Sequence, residues 1–215
     1  MDHGSTARRP AVAPFRTWEG ELSTTSTAPT PADRDAERAA VDAVLAGDRE
    51  AFRSIVDRES AAVVRACHRV LGDLHEAEDA AQEAFVTAFR GLAGWRGDGP
   101  LGAWIRRIGV RIALRRAQRR RDVTWIDPTS SSGGSEIPGG ADPALATLRA
   151  ERAADIRTAV SRLDEPYRET VALRFFGELS LDEIAAQTGR PLGTVKTHLR
   201  RGLLRLRSSV EGSVS

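Results

Sequence analysis

The sequence is poor in several residue types, and each shortage excludes something. A single cysteine, Cys67, rules out an intramolecular disulfide and any cysteine-based zinc site. The four histidines (3, 68, 75 and 198) are scattered, and none stands at zinc-ligand spacing from another. Aromatic residues make up only 5% of the chain. No apolar run reaches the roughly 18–20 residues needed to cross a bilayer, so no membrane insertion is expected. The N-terminus lacks the apolar core of a secretory signal, which makes a cytoplasmic address the expectation. A Gly-rich phosphate loop, a nucleophile elbow and a metal cluster are all missing, so neither an enzyme nor a cofactor is expected. Cys67 and His68 are adjacent, which sets their side chains about 100° apart on a helix and unable to act together.

Lysine is almost absent as well: Lys196 is the sole lysine among 32 basic residues. Net charge is only +2, yet the arginines are strongly segregated. Residues 106–121 hold eight Arg and no acid; residues 190–207 hold five Arg, Lys196 and no acid. Two basic blocks in a nearly neutral chain point to two contacts with a polyanion.

The chain divides by composition. Residues 1–32 are rich in Ser, Thr, Pro and Ala without helical or strand period, which reads as a disordered tail. A stretch rich in Gly, Ser and Pro, DPTSSSGGSEIPGGADP, reads as part of a flexible linker, taken as 122–141. Between and after these lie helical blocks at 33–121 and 142–210, with a short tail at 211–215. No segment shows period-two alternation, so the expected fold is all-α: two small helical domains joined by the linker.

In the first block Asp33 is placed to cap a helix ending near Gly47. A second helix follows Asp48 and buries Phe52, Ile55, Val56, Val63, Val64, Cys67, Val70 and Leu71. Asp73 starts a third, with Ala77, Ala81, Ala84, Phe85, Ala88, Phe89 and Leu92 inward. A fourth runs from Leu101 to Arg121 over Trp104, Ile105, Ile108 and Ile112. In the second block Asp142-Pro143 opens a helix using Leu145, Leu148, Ile156, Val160 and Leu163. Asp164 is placed to cap the next, which ends at Gly177. Ser180 and Glu183 form a capping box, and Gly189 ends that helix before a last one from Leu192 to Arg207.

Three surfaces carry chemistry. Residues 179–207 have the layout of a helix-turn-helix. The last helix buries Val195, Leu199, Leu203 and Leu206 and turns Thr194, Lys196, Thr197, His198, Arg200, Arg201 and Arg205 outward. A recognition helix needs such a face, because charged and hydroxylated side chains meet phosphates and base edges in the major groove. A merely solvated face usually mixes signs, whereas residues 184–210 contain no acid. The fourth helix places Arg107, Arg111 and Arg115 on one face. Like charges at that spacing cost stability, a cost that makes sense if a polyanion offsets it. Trp95 and Trp104 flank the adjoining break: such aromatics can stack on unpaired bases or simply complete the core. The third helix is opposite in sign, with five acids and no Lys or Arg from 73 to 83. That pattern suits the helix dipole, and it could also dock a basic protein partner.

The segment EAEDAAQEAFVTAFRGLAGWRGDGPLGAWIRRI closely resembles region 2 of bacterial sigma factors of the extracytoplasmic-function group. LDEPYRETVALRFFGELSLDEIAAQTGRPLGTVKTHLRRGLLRLR looks like their region 4. The resemblance covers about 165 of the 215 residues. It implies that region 2 (33–121) binds core RNA polymerase through Glu76, Asp79, Gln82 and Glu83. Region 2 would also open -10 DNA with Trp95, Arg96, Trp104, Arg107, Arg111 and Arg115. Region 4 (142–210) would read -35 duplex with Arg190, Thr194, Lys196, Thr197, His198, Arg200 and Arg201. The implied partners are core RNA polymerase, promoter DNA and an anti-sigma factor. Three positions depart from the family's pattern. Arg111 and Arg115 stand where Asn and Asp are usual, and Pro191 where a Ser-like cap is common. A helix-turn-helix regulator of the quorum-sensing or response-regulator type would share GTVKTHL. It would also need a receiver or ligand-binding domain, and residues 33–121 have the pattern of neither.

Overall fold

A computed structural model describes residues 30–124 and 143–212. Most of the expected N-terminal tail, residues 125–141 of the expected linker, Asp142 and the last three residues lie outside the described residues. The first helix, α1 (Pro31–Leu45), begins earlier than Asp33. Thr30 is its N-cap, and Asp33 is the reciprocal partner of a capping box, accepting from the Thr30 backbone N–H at 2.9 Å. Pro31 occupies a first-turn position where its missing N–H costs nothing. In α2 (Arg49–Leu71) Asp48 accepts from the N–H groups of Glu50 and Ala51. Gly72, in the left-handed region, closes α2, and Asp73 at once caps α3 (Leu74–Gly91).

One helical turn at Leu92–Gly94 precedes α4 (Leu101–Thr124), which runs three residues beyond its expected end. The Glu37 carboxylate of α1 accepts from the Leu101 N–H at 3.0 Å, giving the start of α4 a cap from another helix. Burial pushes that carboxyl up, and the bond to Leu101 pulls it partly back. The core of this block is Ile55, Val63 and Cys67 against Ala77, Ala81, Ala84 and Ala88, closed by Ile105, Val110 and Ile112. Alanine on α3 lets the helices approach closely. At Gly109 a side chain would sit only 3.1 Å from both Cys67 Sγ and Val63 Cγ1, so α4 meets α2 at backbone distance. Phe89 departs from expectation. It is 49% exposed and lies at the rim, edge-on to Phe52 at 4.9 Å.

The second block comprises α5 (Pro143–Ser161), α6 (Tyr167–Phe175), α7 (Leu181–Thr188) and α8 (Leu192–Gly212). Val160 and Leu163 join the core as expected. Leu148 and Ile156 do not: they are 46% and 53% exposed, because no helix among the described residues covers that side of α5. Asp164 is not a cap either. Pro166 stands at the N-cap of α6, and the Asp164 carboxylate instead accepts from Arg205 of α8 at 2.9 Å. The Ser180–Glu183 capping box forms as read from sequence, with bonds of 2.7 and 3.1 Å.

The buried apolar residues of the two blocks form one cluster, and polar groups tie the blocks together beside it. Arg69 near the end of α2 donates to the Phe176 carbonyl and pairs with Glu178 at 2.6 Å. Arg168 donates to Gln118 at 3.2 Å. Among the described residues no helix is long and apolar enough to cross a membrane.

The packing around Cys67 makes a direct prediction. Burial pushes its thiol up to about 12. At pH 8 the thiolate fraction is then about one in ten thousand, and the thiolate is the reactive form. Cys67 should therefore resist a disulfide reagent in the native chain and react fully in denaturant. Rapid reaction under native conditions would mean that the α2–α4 core is open.

Candidate nucleic-acid interface

The helix-turn-helix is built by local rules. The capping box starts α7, and Gly189 at φ +69° turns the chain out of it, a conformation that favours glycine. Pro191 then offers its carbonyl to the Thr194 and Val195 N–H groups at 2.9 and 3.1 Å, opening α8 without a side-chain cap. Val195 and Leu199 are buried against Ile184 of α7 and the apolar side of α6. That stripe fixes the rotation of α8. Lys196, Thr197, Arg200 and Arg201 face solvent together, and Thr194 is half-buried beside them. Thr197 donates its hydroxyl to the Gly193 carbonyl at 2.9 Å.

His198 is the exception on this helix. Sequence spacing puts it on the outward face, but the structure turns its ring edge-on to Tyr167 of α6 at 5.7 Å. Its Nδ1 is buried without a hydrogen-bond partner. The guanidinium of Arg205 lies over the same tyrosine at 4.4 Å, an attraction between cation and ring face. The single tyrosine of the chain thus organises two residues that a charge count alone assigns to the outward face. Burial pushes His198 below its ordinary value, and Arg190 and Arg201 push it further.

The basic face of α4 is not one surface. Arg115 and Arg119 are exposed, with no ion pair among the described residues. Arg116 pairs with Glu83 at 2.7 Å and Arg120 with Glu76 at 2.6 Å, lacing α4 to α3. Two of the four residues singled out on α3 are therefore already engaged, leaving Asp79 and Gln82 exposed without an ion pair among the described residues. Arg107 and Arg111 point elsewhere, to Glu169 of α6. Arg111 Nε donates to Glu169 Oε1 at 2.7 Å, and Arg107 Nε lies 3.9 Å from the same oxygen. Arg190, just before α8, donates to Glu169 Oε2 at 3.0 Å. Trp95 and Trp104 are half-buried against the core, and Arg96 pairs with Asp98 at 2.9 Å on the surface.

Glu169 was not among the residues that the sequence singled out. Its side chain is 6% exposed. The available signal was an acid within the otherwise apolar run ETVAL, since a buried carboxylate requires charged partners. Which arginines would supply them is a tertiary fact.

The comparisons match this layout. Residues 55–123 match the family model for sigma-70 region 2, and residues 153–206 match that for sigma-70, region 4. The ECF RNA polymerase sigma factor SigW of Bacillus subtilis is 31% identical over 175 residues, covering 78% of this chain and 92% of the relative. The chain belongs to the extracytoplasmic-function sigma factors of the sigma-70 family. The RNA polymerase sigma-H factor of Pseudomonas aeruginosa is 34% identical over 75% of this chain and 86% of its own length. The solved structure of CnrH in complex with the cytosolic domain of CnrY superposes with a TM-score of 0.54. At 23% identity it covers 83% of this sigma factor and 99% of that chain, a likeness of fold.

The His198 environment in this sigma factor yields a signed pH prediction. Its ring should titrate below 6.5 in the folded chain, as read by NMR. A depressed folded value means that its contribution is present above the unfolded value and is lost as pH falls through the folded one. Tyr167→Ala should return the titration towards 6.5. An unshifted His198 in the native chain would contradict the packing described.

Proposed function

We propose that this chain binds core RNA polymerase in the cytoplasm and directs promoter-specific initiation. In this reading region 4 reads the -35 duplex and region 2 opens the -10 element. The observation that carries it is the order of the two matched regions, with an acid-free exposed face on the second helix of the helix-turn-helix. Arg200 and Arg201, adjacent and exposed, are the residues with the reach for guanine edges. Lys196 and Thr197 lie nearer the helix start and suit phosphate and base contacts. Thr194 and Arg190 border this surface. His198 would act through packing, by holding α8 on Tyr167, and not through DNA.

On α4, Arg115 is the exposed cation of the Arg107, Arg111 and Arg115 set. The opening function is assigned to these three with Trp95, Trp104 and Arg96. Asp79 and Gln82 are the free part of the polymerase-docking face, and Glu76 and Glu83 contribute beside their arginines. An anti-sigma partner belongs to the same reading. CnrH, whose fold this chain shares, was solved in complex with the cytosolic domain of CnrY.

Run-off transcription with purified core polymerase and a promoter library tests the proposal. The chain should produce discrete start sites that core enzyme alone does not; unchanged core background would refute it. Within that assay Arg200→Ala or Arg201→Ala should weaken duplex -35 binding by roughly 1–3 kcal/mol, and one of them should relax base preference. Arg115→Ala should lower the salt slope of promoter binding by about one, the signature of a single phosphate contact. Asp79→Arg should weaken core binding while leaving helical content unchanged, since the side chain is exposed.

A further inference from the structure

The Glu169 cluster gathers cations from both blocks on one carboxylate. Arg107 and Arg111 come from α4, and Arg190 comes from the entrance to α8. All three belong to the sets assigned above to DNA, one set to each promoter element. The cluster is under-neutralised, with three guanidinium groups facing one carboxylate. Arg107 Nε and Arg190 Nη1 are buried with no hydrogen-bond partner. Burial lowers the pKa of Arg107, and the neighbouring Arg111 and Arg190 lower it further. A carboxylate that only partly satisfies three arginines is a weak competitor for a string of phosphates, which offers each arginine several acceptors.

We propose that Glu169 is an autoinhibitory counter-ion, which holds the free sigma factor closed by occupying arginines of both DNA-binding regions at once. This inference rests on the assignment of those arginines to promoter DNA. Arg69 on Glu178 and the Phe176 carbonyl, and Arg168 on Gln118, add polar contacts beside the apolar core that the blocks share. The ionic part of the joint is screened by salt. Opening would therefore release cations towards both promoter elements in one step, and the closed form would keep the free chain from binding DNA indiscriminately.

The test is a distance measurement in the full chain. Thr87 on α3 and Ser208 on α8 are exposed, so Thr87→Cys with Ser208→Cys accepts a fluorophore pair. Buried Cys67 stays unlabelled. Single-molecule energy transfer should give a close-approach population in the parent chain that declines with added salt. Glu169→Gln should enlarge the open population. Arg111→Gln, which breaks the same joint from an exposed side chain on the other block, should do likewise if Glu169→Gln fails to fold. The double variant should open little further than either alone, because both remove one interaction.

Affinity of the polymerase-free chain for a -35 duplex should rise for Glu169→Gln by the ratio of the open fractions. Unchanged energy transfer in both variants would overturn the proposal. So would opening without a gain in affinity, which would make the cluster a structural joint only. The closure measurement needs no transcription, so its failure is distinguishable from a failure of the parent chain to confer initiation on core polymerase.

Discussion

Thirty-one arginines must each find an acid, a carbonyl, a ring face or water, and that pairing problem governs how the helices sit. On α4 it is solved in three ways along one helix. Arg116 and Arg120 reach the acids of α3 and fix the packing of the first block. Arg107 and Arg111 cross to Glu169 and connect the two blocks. Arg115 and Arg119 remain with water. A row of like charges that sequence alone assigns to one polyanion contact is thus divided among packing within a block, joining of the blocks and exposure to solvent. Without the acids of α3, the close approach allowed by its alanines would bring a cationic helix against an unbalanced core.

On α8 the same problem is solved differently, and the difference is functional. Arg205 stays on the surface but is held by Asp164 and the face of the Tyr167 ring, and His198 packs against the same ring. Those contacts anchor the helix. They leave Lys196, Arg200 and Arg201 facing water with no acid near them on the helix, which is the property a DNA-reading face requires. The residues that anchor α8 are thus distinct from the exposed cations proposed to read DNA.

Much of the fold was legible in the sequence because caps and apolar stripes are local. Asp48, Asp73, Ser180 with Glu183, and Gly189 act where spacing places them. The buried stripes of α2, α3 and α8 follow 3.6-residue periodicity. Other features were legible only in part. Phe89, Leu148 and Ile156 have the right spacing for a core, yet whether a neighbouring helix reaches them depends on tertiary placement. Asp164 has the composition and position of a cap, but a longer-range arginine claims it. Thr30 and Asp33 share one capping box, so the acid alone marks the start of α1 three residues late. Within the site, the exposed cations of α8 were readable from charge and period. The inward turn of His198 and the whole role of Glu169 were not, because each depends on a residue from another helix.

The central claim is a division of labour between two basic helices that share one chain. Site-specific photo-crosslinking in an initiating complex tests it most directly, with the photoreactive residue at 115 on α4 or at 200 on α8. The account predicts that position 200 captures only the -35 duplex and position 115 only the -10 element, whose strands separate. Crosslinks from both positions to the same promoter element would contradict it.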